Sequence, residues 1–154
     1  DPNGRWAQEL APCLPYCDLI FPNQSEAQQI TGRSVPDEMA QWLLDQGVRT
    51  AVVKLGAQGC LVKSARERVQ VPGYRVAVVD TTGAGDAFAG GFLAAQTWGW
   101  DWEQTARFAC ALAAISVTDF GVTRALQSKE QVVRLMRDSA DLCIRECERQ
   151  HQLI

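Results

Sequence analysis

The chain has 154 residues, 47% of them hydrophobic, and a net charge of −3 at neutral pH. That length and composition suit one globular domain with a sizeable core and exclude a disordered chain. No apolar run approaches the roughly 18 residues that span a bilayer, and the densest basic stretch, KSARER at 63–68, contains Glu67 and no aromatic residue, which argues against a nucleic-acid surface.

The opening DPNGRW has neither a basic n-region nor an apolar h-region, and no initiator Met. No signal peptide is expected there, and the chain is expected to be a fragment or a processed product. CDLIFPN, 17–23, is a short apolar run ended by Pro22 and Asn23, the pattern of a buried strand leading into a loop. SEAQQITG then predicts a short helix closed by Gly32. VPDEMAQWLLDQG, 35–47, predicts a clearer helix, with Pro36 early, acids in the first turn, apolar residues at helical spacing and Gly47 at the end. TAVVKLG, 50–56, and CLVK read as two strands joined by a turn at AQG, and RVQV and YRVAVV predict two more around Pro72 and Gly73.

DTTGAGDAFAGG, 80–91, opens a small-residue helix over about 84–98, and Asp101 caps the next, through FACALAAISV. Ser128 with Gln131 three residues later is a capping-box pattern before a terminal helix of about 20 residues. Strands alternate with helices early, a hairpin group follows, and three helices close the chain. The expected fold is therefore α/β, a layered domain over 1–154 with helices on both sheet faces and ligands at the carboxyl ends of its parallel strands.

The six cysteines, at 13, 17, 60, 110, 143 and 147, form no CxxC pair and lie among apolar neighbours. Reduced, mostly buried thiols of a cytoplasmic protein are expected. Cys143, Cys147 and His151 would share one helix face, but structural zinc wants a fourth ligand and closer spacing, so this stripe reads as core.

The chemistry concentrates in the glycine loop. Gly83, Ala84 and Gly85 carry no bulky side chain, so their amides can face a ligand at a helix N-terminus, where partial positive charge favours an anion such as phosphate. A Walker loop is excluded, because no GK[ST] tripeptide exists, and so is a dinucleotide fingerprint, because Phe88 stands where its third glycine belongs. Asp86 in the first turn has two readings. It is either a dipole-stabilising acid, worth about 0.3–1 kcal/mol, or the base that takes an acceptor hydroxyl's proton while the amides hold phosphoryl charge. The residues alone leave both open.

DTTGAGDAFAGGF closely resembles the second signature of the ribokinase-like (PfkB) family of carbohydrate kinases. The resemblance implies a layered α/β/α ribokinase-like fold, of which this chain matches only the C-terminal half, without the β lid. It makes Asp86 the catalytic base and Gly83, Ala84 and Gly85 the anion hole. FPNQSEAQQITG resembles the family's N-x-x-E segment, so Asn23 and Glu26 are expected to help organise magnesium and phosphates, Glu26 acting on the metal indirectly. VVKLGAQGCLV resembles the strand and turn lining the nucleotide, with Gly56 and Gly59 matching and Lys54 where many members have threonine.

FACALAAISVTDFGVTRAL resembles the segment closing over adenine, with Gly121 at the family's glycine and Cys110 where several relatives carry asparagine. DPNGR resembles a D-x-N-x-R segment that makes Arg5 a candidate substrate or phosphate contact and leans toward hexose or sugar-acid acceptors. Asp80 and Thr82 are candidates for a monovalent cation, K+, held largely through backbone oxygens. The implied activity is ATP-dependent phosphorylation of a sugar hydroxyl, with ATP and Mg2+. The alternative is a truncated, inactive nucleotide-binding or interaction module. Asn23 and Glu26 also read as a helix cap, and Gly56 and Gly59 as a hairpin turn.

Overall fold

A computed structural model describes residues 5–121, 123–126 and 128–139. The chain divides into two compact units, Asp1–Gly73 and Tyr74–Ile154. Cys143, Cys147 and His151 lie outside the described residues, as do the last turns expected of the terminal helix.

The first unit is built on a four-stranded mixed sheet in the order β1-β2-β3-β4. Strand β1 (Leu19–Ile20) runs parallel to β2 (Thr50–Lys54), while β3 (Cys60–Ser64) and β4 (Arg68–Val71) continue antiparallel. Thr50 to Val53 are buried residue by residue, which is why this strand reads as a continuous apolar run rather than an alternation. Helices α1 (Trp6–Leu10), α2 (Gln24–Thr31) and α3 (Pro36–Asp45) precede β2. The short α1 and the 3-10 turn at Leu14–Tyr16 have no counterpart in the sequence reading. Pro36 begins α3 with its fixed φ and no amide to satisfy. Met39 and Leu43 of α3 are fully buried in a core with Leu14, Ala51, Val53 and Leu61. Gly32 ends α2 at φ +68°, the left-handed cap expected of it.

Between β2 and β3 lies a 3-10 turn, Gly56–Gln58, followed by Gly59 at φ +92°. A Cβ there would collide with the Val71 carbonyl oxygen and lie 2.5 Å from the Pro72 carbonyl carbon. Only glycine lets this turn lie so close to the backbone leaving β4.

The second unit centres on a pair of helices packed on each other, α4 (Ala84–Thr97) and α5 (Trp102–Ser116). Their small residues serve close approach: a Cβ on Gly91 would come within 2.8 Å of Leu112 Cδ2 and 3.4 Å of Ala109 Cα. Phe92 is fully buried, stacked between Phe88 and Trp102 at centroid separations of 6.1 and 5.8 Å. Burial of one such ring contributes about 1.5–3 kcal/mol. Trp98, Trp100 and Phe108 form a second aromatic group, with the Lys129 ammonium 3.4 Å from the Trp98 ring centre. Asp101 Oδ1 accepts from Gln104 N at 2.8 Å and so starts α5 as its sequence predicts. A further helical segment covers 129–139. Ser128 Oγ accepts from Gln131 N at 3.3 Å, the first bond of the expected capping box, and the Gln131 side-chain amide donates to Ala125 O at 3.1 Å.

One expected element is absent. Residues 74–79, read as a strand, form none: no described strand pairs with them, and Val78 and Val79 are 61% and 47% exposed. Val76, Val78 and Val79 have β-branched side chains, but strand propensity expresses packing on a pleated surface, and no ladder supplies it here.

Candidate active site

In the second unit the candidate site residues Gly83 to Asp86 form the head of α4. Gly83 is its N-cap at φ +75°, a left-handed conformation that turns the chain sharply into the helix. No side chain caps this terminus. Ala84 N donates to Thr81 O at 3.2 Å, so one of the three amides expected to form the anion hole is engaged with the chain itself. The amides of Gly83, Gly85 and Asp86 have no hydrogen-bond acceptor among the described residues. Bare first-turn amides and the helix dipole would favour an anion at this end. The Asp86 carboxylate, one turn in, is exposed and accepts no hydrogen bond from a described residue. Donors for negative charge and a free proton acceptor therefore share one turn.

Asp80 sits just upstream. Its Oδ1 accepts from Thr82 N at 2.9 Å and its Oδ2 from Gly121 N at 3.3 Å. The Thr82 amide, with its hydroxyl, and the Gly121 amide hold the Asp80 carboxyl below the usual carboxylate range. Gly121, at φ +84°, thus lies in contact with the loop that opens α4. Cys110 is buried on α5, only 6% exposed.

In the first unit the candidates gather at the carboxyl ends of the parallel strands, the expected place in α/β sheets. Asn23 follows β1 and bridges Lys54 at the end of β2, whose amide donates to Pro22 O at 2.9 Å. Gly56 and Gly59 lie in the turn just beyond Lys54. Asn23 and Glu26 form a full capping box at the start of α2: Glu26 N donates to Asn23 Oδ1 at 2.9 Å and Asn23 N to Glu26 Oε2 at 2.8 Å. One oxygen of each side chain is used in this way, which leaves Glu26 Oε1 and the Asn23 amide nitrogen. Arg5 is not gathered with them; its guanidinium pairs with Glu9 on the next turn at 3.6 Å.

A magnesium ion would find few protein ligands here. Among the described residues no group of three His, Cys, Asp or Glu side chains is assembled to hold a metal. Magnesium commonly takes one or two carboxylates and completes its shell with phosphate oxygens and water, and a single acid at Glu26 fits that donor set. Among the described residues no helix is long and apolar enough to cross a membrane.

The tie between Asp80 and Gly121 was not visible in the sequence. The partners are 41 residues apart, and no local pattern marks a contact made by a backbone amide.

Comparison with known proteins bears on the family and the fold. A family model described as pfkB family carbohydrate kinase matches residues 1–129. Ribokinase of Haemophilus influenzae is 34% identical over 128 residues, which cover 80% of this chain and 42% of that protein. Among solved structures, Arabidopsis thaliana ribokinase complexed with ribose and ATP matches with a TM-score of 0.75 and 30% identity, over 82% of this chain and 43% of its own. A candidate ribokinase II of E. coli, in complex with ATP and Mg2+, matches with a TM-score of 0.80 and 28% identity, over 90% and 46%. This chain thus spans less than half the length of these relatives. It has their ribokinase-like α/β fold. By its family match over most of its length and by that fold, the chain belongs to the pfkB family of carbohydrate kinases.

Proposed function

We propose that this chain carries the phosphoryl-transfer machinery of an ATP-dependent kinase acting on a sugar hydroxyl. The observation that supports this most directly is the head of α4, where unpaired amides and the unpaired Asp86 carboxylate share one turn. Phosphoryl transfer through a loose transition state needs charge stabilisation and a proton acceptor more than any covalent chemistry by the protein. In this reading the Asp86 carboxylate accepts the proton of the acceptor hydroxyl. The freed oxygen forms its bond to the γ-phosphorus as the bond to the leaving ADP oxygen breaks. The amides of Gly83 and Gly85, with Ala84 N if it leaves Thr81 O, stabilise the charge on the transferred group.

Asn23 and Glu26 are assigned to magnesium and phosphates through the atoms their capping box leaves free. Lys54, Gly56, Gly59, Cys110 and Gly121 are assigned to the nucleotide, and Arg5 to the substrate or its phosphate. Bound magnesium would neutralise phosphate charge. A monovalent cation such as K+ would be held by backbone oxygens of Asp80 and Thr82, because both Asp80 carboxylate oxygens already accept amides.

The test is a coupled ADP-release assay on the full-length protein across pentoses, hexoses, sugar acids and nucleosides, with Asp86→Asn beside it. Loss of a positioned general base is expected to lower kcat about 10²–10⁴-fold. An Asp86→Asn protein with undiminished kcat would remove the base from this assignment. A second reading, a nucleotide-binding module without turnover, is favoured by one observation: the chain spans 42% of the ribokinase it matches. The 154-residue chain alone, which spans 42% of that ribokinase, is expected to turn over poorly, since a base with only part of the acceptor-binding groups loses the positioning that supplies much of the rate.

A further inference from the structure

The segment 117–121 follows α5 and carries little that could hold it by packing. Val117 is buried, but Thr118 and Gly121 are exposed, and Phe120 is 67% exposed. Hydrogen bonds to the segment leading into α4 hold it instead. Val117 O accepts from Val79 N at 2.7 Å and from Asp80 N at 3.3 Å. Beyond that carbonyl, among the described residues, it is attached through the Asp80 side chain, with Thr82 N on one oxygen at 2.9 Å and Gly121 N on the other at 3.3 Å.

We infer that Asp80 is a positioning residue: its carboxylate ties the loop bearing Gly83 to Asp86 to the loop that follows α5, so that the two loops hold one geometry. An ionised carboxylate suits this task because it accepts at two oxygens at once, which neither an alcohol nor a primary amide can do in this arrangement. Its charge, otherwise unfavourable beside a phosphate, is directed at two amides. A ligand held by segment 117–121 would then act on the placement of the α4 amides through Asp80. That consequence rests on the kinase reading, whereas the tie itself does not.

Residue-resolved amide exchange in the full-length protein, for wild type, Asp80→Asn and Asp80→Ala, tests the tie directly. Removing both acceptors in Asp80→Ala is expected to speed exchange at Thr82 and at the remote Gly121 by about three- to tenfold. Asp80→Asn keeps one acceptor oxygen and is expected to speed only one of the two. Unchanged exchange at Gly121 in Asp80→Ala would overturn the inference. If that variant does not fold, unchanged exchange at both amides in the isosteric Asp80→Asn would do so. In steady-state kinetics the Asp80→Ala protein should lose kcat with the KM for sugar unchanged, and Asp80→Asn should fall between it and wild type. Equal kcat in wild type and Asp80→Ala would also overturn it. A wild-type protein without sugar-kinase turnover would instead refute the proposed function, and the exchange data would still decide the tie.

Discussion

At the start of α2 the chain answers its own first-turn amides, Asn23 Oδ1 accepting from Glu26 N at 2.9 Å, whereas at the start of α4 the amides of Gly83, Gly85 and Asp86 meet no acceptor among the described residues. Both helices carry an acid in the first turn, Glu26 in one and Asp86 in the other. Glu26 folds back onto the Asn23 amide at 2.8 Å, while Asp86 accepts from nothing described. A helix start that satisfies itself contributes stability. One left open, with glycine instead of a capping side chain, keeps its donors for a ligand. Each acid stands three residues after its N-cap, and the partner it finds decides its role.

This contrast can be broken by substitution. The largest effect is expected at the open end: Asp86→Asn should reduce kcat by about 10²–10⁴-fold while leaving the thermal midpoint near wild type, since its carboxylate has no folded partner to lose. A large fall in stability would mean that this acid is structural after all, like Glu26. Next comes Gly59→Ala, which forces a Cβ into the Val71 carbonyl at φ +92°. It should cost about 3 kcal/mol or more, read as a shifted urea midpoint.

Asn23→Ala should cost about 1 kcal/mol in the same measurement, the usual worth of an N-cap. If Asn23 also serves phosphate, its KM for ATP should rise as well, and a stability loss without a KM change would confine it to capping. The smallest effect concerns Asp37, which accepts from Lys63 at 2.8 Å and Arg68 at 2.7 Å. Lys63 first and Arg68 second hold its carboxyl below the ordinary range. The pair's contribution is therefore complete above the unfolded carboxyl's pKa and fades as pH falls through the lower folded value, that is, below about pH 4. With the Asp37 side chain 41% exposed, solvent screens the pairing, and Asp37→Asn should cost less than about 1 kcal/mol at neutral pH. The gap between wild-type and variant urea midpoints should close on acidification; a gap constant to pH 3 would contradict the assignment.

Much of this architecture was legible in short windows. Asn23 and Gly32 bracket α2, Pro36 opens α3, Asp101 opens α5, and each works through a bond or backbone angle within a few residues. The glycine loop was legible for the same reason, because φ +75° at Gly83 and the absence of side chains at 83 and 85 are local properties. The segment 74–79 was not. Its valines have strand propensity, but a strand exists only when another runs beside it, and none does among the described residues. Ala84 was expected to offer its amide, yet Thr81 O takes it at 3.2 Å, a detail of loop curvature that residue type does not carry.

The sequence by itself determined the starts of α2 to α5, the glycine turns and the family, because these depend on interactions spanning a few residues or on motifs read in order. Glu26 closes into a cap within its own turn, a local pattern, whereas tertiary structure alone turned Asp80 toward an amide 41 residues away and left Asp86 with no donor among the described residues. A carboxylate's chemistry is the same in all three places. What differs is the nearest donor, and that is set by where the folded backbone brings it.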